Sequence, residues 1–249
     1  MSRVAKGLSI VAGGQRRAAN RPPDGPNASL SAGRESWAPA KAGTRAGWTL
    51  PRPPSPTLSE LFAATPRDGG WAGFLLPQVD RSKPVLWVQE RMAILESGRI
   101  YPPGLGIDAI HVEARDARAA LWAMEEGVRC SALSAVIGEL WGDPAALDFT
   151  ATRRLAVASE RSGVPCWLVR LGATTNLSGA RMRWRIASAQ SLLNSLDSRA
   201  PGLPTWDAEL FRARGFAPGR WSIAREADRF HLVAGAGGRA VGEEQRLTA

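Results

Sequence analysis

The feature that most constrains this chain is a regular alternation between Lys83 and Arg170. Its segments read strand, strand, helix, strand, helix, strand. Val85-Leu-Trp-Val88 is a continuous apolar run, as a strand covered on both faces requires. Ala109–Glu113 is a second strand. Asp116 then caps a helix running to about Cys130, with Ala120, Leu121, Met124 and Val128 on its apolar side. Ala135–Gly138 reads as a buried strand ending at Glu139. Asp148 caps the next helix, which stops at Gly163 and Pro165, and Cys166-Trp-Leu-Val169 is a further strand. Strands alternating with helices predict an α/β fold with a mostly parallel sheet and right-handed crossovers.

Outside this core the texture differs. Residues 1–56 are rich in Pro, Gly, Ser and Arg and read as a disordered basic leader. Residues 1–55 hold nine Arg or Lys against two acids, so +7 of the chain's +9 net charge belongs there. Such an arm binds nucleic acid or acidic surfaces through charge alone, or is merely a solvated tail. Residues 57–234 form the expected folded domain and 235–249 a flexible tail. Ser59–Ala64, with Leu58, Leu61 and Phe62 on one side, reads as a short amphipathic helix. Gly73–Leu76 fits either a strand or a helix start, and Gly98–Leu105 a turn-rich connection. After Arg170, period-two alternation in Arg181–Ile186, Trp206–Arg214 and Arg220–Val233 predicts half-exposed antiparallel strands appended to the parallel sheet.

This α/β rhythm suits nucleotide binding, but the phosphate-gripping lysine is missing. A P-loop ends in Gly-Lys-Ser/Thr, and the three lysines, Lys6, Lys41 and Lys83, precede Gly, Ala and Pro. The weak substitutes are Arg67, within Thr65-Pro-Arg-Asp-Gly-Gly70, and Glu139, at a strand end where it is either a remnant catalytic acid or simply solvated. His111 and Glu113 share a strand face and, with Pro165-Cys166, resemble part of a zinc-deaminase signature. Val169 stands where its last cysteine belongs, which leaves too few ligands for zinc. With only His111 and His231, a nucleophilic triad lacks candidates. Cys130 and Cys166 read as small buried core residues suited to a reducing compartment. Gly235–Ala240 matches G-x-G-x-x-A, with too little chain after it for a dinucleotide-binding unit. No apolar run is long enough to span a bilayer. A catalytic or metal site is therefore not expected, nor a cofactor.

Arg181, Arg183 and Arg185 line one face of a strand opposite Met182, Trp184 and Ile186. They read either as a ladder for phosphates or an acidic partner, or as a solvated sheet face. Trp87, Trp167 and Trp184 fall at core-facing positions, so no base-stacking platform is needed to explain them.

Pro84–Val88, Gly98–Leu105, Ala120–Glu126 and Arg153–Ala158 occur in order. Arg183–Arg185, Glu209–Gly215 and Pro218–Trp221 follow. This series resembles the ImuA family, RecA-like accessory proteins of bacterial damage-induced mutagenesis sometimes grouped with the cell-division inhibitor SulA. The resemblance spans roughly residues 57–233. It implies a RecA-like fold without a dependable ATPase site and a cytoplasmic role in SOS-type translesion synthesis. It also implies three partners: an ImuB-like Y-family polymerase homologue, RecA, and an error-prone homologue of the replicative polymerase. The rival readings are a degenerate ATPase, a SulA-like inhibitor of cell division, and a DNA-binding protein led by its basic arm.

Overall fold

A computed structural model describes residues 48–233, apart from 195, 198 and 228. The leader before Trp48 and the tail beyond Val233, with its glycine motif, lie outside the described residues. Among the described residues nine strands form one sheet: β1 (Leu58–Ala63), β2 (Val85–Glu90), β3 (Ala109–Ala114), β4 (Ala135–Trp141), β5 (Cys166–Leu171), β6 (Met182–Ala189), β7 (Thr205–Ala213), β8 (Gly219–Glu226) and β9 (Arg229–Leu232). Their order is β3-β2-β4-β5-β1-β6-β7-β8-β9. The first six are mutually parallel, and β7, β8 and β9 continue the sheet antiparallel. The mostly parallel α/β sheet with appended antiparallel strands is therefore present.

Alternate side chains feed two cores. Leu61, Trp87, Ile137, Trp167, Val169, Trp184 and Ile186 point to one face, under α1 (Gly70–Leu75) and a 3-10 turn. Leu58, Val88, Val136, Leu140, Cys166 and Leu168 point to the other, beneath α3 (Ala117–Val128) and α4 (Phe149–Ser162). A further short helix, α2 (Arg91–Ser97), follows β2 directly. Asp116 accepts from Ala119 N–H and Asp148 from Ala151 N–H, which caps α3 and α4 as expected. Gly163 ends α4 with φ of 75°, a left-handed position that glycine takes without strain.

Several expectations are corrected. Ser59–Ala64 is not a helix but most of β1, placed centrally between β5 and β6. A strand buried on both faces loses its polar alternation, and Leu58, Leu61 and Phe62 then mimic helical spacing. Gly73–Leu76 lies in α1 and the turn after it. The strand β6 is antiparallel to β7 but parallel to β1, so it joins the two halves of the sheet. The folded region also begins before residue 57: Leu50 is buried and Trp48 packs 6.1 Å from Trp221. Cys166 is buried, its thiol pushed up by burial, whereas Cys130 is exposed because α3 stops at Val128.

Candidate functional site

Chain direction along the sheet reverses between β2 and β4: the path steps outward from β2 to β3, then returns to β4 on β2's other side. In open α/β sheets, ligands bind beside the carboxyl ends of the strands at such a switch point. A crevice of about 170 Å³ lies there, lined among others by Arg67, Asp68, Gln89, Arg99 and Glu139. The two weak candidates, Arg67 and Glu139, are thus brought to one place.

Glu139 is not a solvated strand-end acid. It sits within β4, which continues to Trp141, and is 2% exposed. Its neighbour across the β2–β4 register is Gln89. Trp87 Nε1–H donates to Glu139 Oε1, and Gln89 Nε2 donates to Glu139 Oε2 at 3.1 Å. Burial pushes the carboxyl up to about 7, against the downward pull of these two bonds. Gln89 organises the pocket. Its amide also donates to Gly98 O, while its oxygen accepts from Ile100 N–H and from His111 Nε2–H at 3.0 Å. His111 is held below its ordinary value by burial and then by Arg99, which also pairs with Glu113. His111 and Glu113 do share a face, but among the described residues no cluster of His, Cys, Asp or Glu could hold a metal.

The loop after β1 is self-satisfied. Asp68 accepts from Gly70 N–H at 2.8 Å, at the start of α1. The same carboxylate accepts from Ser188 N–H and Ser188 Oγ–H at 2.8 and 2.6 Å. These bonds lower its pKa, overriding the burial that raises it. Arg67 turns outward, 74% exposed, and ion-pairs with Glu96 at 3.0 Å. The backbone donor and the cation that a phosphate would need are therefore already engaged, and a carboxylate occupies the start of α1. The crevice is also smaller than an ordinary ligand pocket of roughly 300–1,000 Å³.

The arginine ladder is placed differently from either sequence reading. Arg181 pairs with Glu160 at 2.7 Å, Arg183 with Glu60 at 2.6 Å, and Arg185 with Glu209. Arg183 is only 4% exposed and lies between the rings of Phe62 and Phe211, each centroid 5.2 Å away. Arg170 joins this cluster over Phe62 and reaches Asp143. The three arginines are thus tied to acids from neighbouring elements. Sequence reasoning missed Asp68, Gln89 and Glu60, because each acts through partners remote in the chain. Only the Asp-Gly-Gly turn carried a local signal.

No protein-family profile matches the chain. Protein ImuA of Caulobacter vibrioides, from strain NA1000/CB15N and equally from strain ATCC 19089/CIP 103742/CB 15, is 34% identical over 157 residues. The match covers 57% of this chain and 61% of the relative. It supports membership of the ImuA family. The chain spans about three-fifths of the length of the curated ImuA relatives it matches. Among the described residues no helix is long and apolar enough to cross a membrane.

Proposed function

We propose that this protein is a non-enzymatic accessory protein of damage-induced mutagenesis, a cytoplasmic scaffold that recruits or regulates error-prone polymerases. Similarity to Protein ImuA supports the biological setting. The observation that carries the non-enzymatic part is the Asp68 carboxylate. It sits at the start of α1, at the switch-point crevice, bonded to Gly70 and Ser188. A second anion placed there meets like charge, and the Gly70 N–H is already taken. With an interior of only about 170 Å³, the crevice leaves little room for a polyphosphate. Function then rests on surfaces that meet an ImuB-like Y-family polymerase homologue, RecA and an error-prone replicative-polymerase homologue.

The reading is tested by complementation. A strain lacking this chain should lose most damage-induced mutation and regain it with either the parent or Glu139→Gln. If Glu139→Gln accumulates as folded protein yet restores nothing, the carboxyl has a chemical role and the non-enzymatic reading is wrong.

A further inference from the structure

A second concavity, of about 480 Å³, lies between α3 and α4 on the face away from the crevice. Its lining includes Arg129, Arg153, Arg154 and Arg161, with Glu125 as the acid among them. Val157 and Ala158 supply an apolar strip between the basic positions. Glu125 bridges the helices, accepting from Arg129 at 2.7 Å and from Arg154 at 2.8 Å. A carboxylate is thus already the counter-ion within this groove. Arg153 and Arg161 are exposed, and their guanidinium groups have no ion pair among the described residues. They lie eight residues apart on α4, a separation of about 12 Å along its axis. Trp122, 66% exposed, stands one turn before Glu125 and Glu126 on α3.

We propose that the α3–α4 groove is a docking site for an acidic peptide segment of a partner protein. In an extended segment, carboxylates four residues apart share a face, span about 13 Å and reach both Arg153 and Arg161. An apolar residue between them covers Val157 and Ala158. Guanidinium groups favour this pairing because their forked donors match a carboxylate. Trp122 offers the kind of large aromatic contact that anchors protein interfaces. A nucleic-acid backbone suits the groove less well. Its evenly spaced phosphates meet Glu125 in the groove, and the apolar strip gives them nothing.

The test is selection of random peptides on the full chain, followed by affinity measurement on the selected sequences. Enrichment of peptides with paired acids flanking an apolar residue is expected. Their affinity should fall at least about tenfold in Arg153→Glu/Arg161→Glu, and it should weaken with salt and in Trp122→Ala. Arg153→Gln/Arg161→Gln repeats the measurement without charge reversal should the first variant fold poorly. The proposal is overturned by no enrichment, by enrichment of peptides without acids, or by affinity indifferent to Arg153 and Arg161. Displacement of the peptides by a short DNA duplex through those same arginines would overturn it in favour of nucleic acid.

Discussion

At the scale of single residues, buried charge explains most of what is unusual here. Glu139 binds its proton more tightly in the folded chain than in the unfolded one, where its value lies near 4.5. Its stabilising contribution is therefore complete below about pH 4.5 and is lost as pH rises through about 7. The difference amounts to about 3 kcal/mol, at 1.4 kcal/mol per pH unit. His111 works in the opposite sense: its folded value is depressed, so its contribution grows as pH rises through its unfolded value near 6.5. The two separate in a difference measurement. Relative to Glu139→Gln, the parent chain should lose about 3 kcal/mol of unfolding free energy between pH 4.5 and 8 by urea denaturation. Parallel pH profiles would show that Glu139 is not held protonated.

Glu60 makes a contrasting case. It is fully buried, bonded by Arg183 Nε and Ser178 Oγ, and lies 3.9 Å from Arg170. Removing one partner of a buried ion pair strands the other. Glu60→Ala should therefore cost about 3–5 kcal/mol, whereas Arg220→Ala, on an exposed pair with Glu209, should cost under about 1 kcal/mol. Similar losses in both, measured by urea unfolding, would contradict this account of the cluster.

At the scale of elements, the helix on the sheet is set by small residues. A Cβ at Gly138 in β4 would overlap Met124 of α3, and one at Gly127 of α3 would overlap Leu86 of β2. Met124 is itself fully buried, so its side chain would have to repack within the core. Gly138→Ala should thus overpack the interface and cost about 1–3 kcal/mol, read as a lower urea midpoint with an unchanged slope. No loss would mean that α3 sits less tightly on β4 than described. The same scale shows what was legible in the sequence. The strands β2 to β5 and the helices α3 and α4 carry local signals, apolar runs closed by Asp116, Asp148 and Gly163. The strand β1 carries a misleading one. Its Ser59 and Glu60 look like the wet side of a helix, yet both are buried. Glu60 is polar for the sake of Arg183, 123 residues later. The arginine ladder was visible as a period of two, but its counter-ions Glu60, Glu160 and Glu209 come from three other elements. Glu139 was picked out but misplaced at a strand end, because nothing local shows that β4 runs on to Trp141.

At the scale of the whole molecule, the described sheet is nine strands wide while its switch-point crevice is small and already satisfied. Gln89 spends its amide on Glu139, Gly98, Ile100 and His111, and Asp68 spends its carboxylate on Gly70 and Ser188. A platform of this kind has surfaces to offer and little room for a nucleotide-driven cycle. That argues for association which does not depend on nucleotide state. The most direct measurement is capture of RecA and of an ImuB-like polymerase homologue by the full chain, with and without Mg·ATP. Equal capture of either partner under both conditions is the predicted result. Capture that requires Mg·ATP, or of neither partner under any condition, would contradict the account.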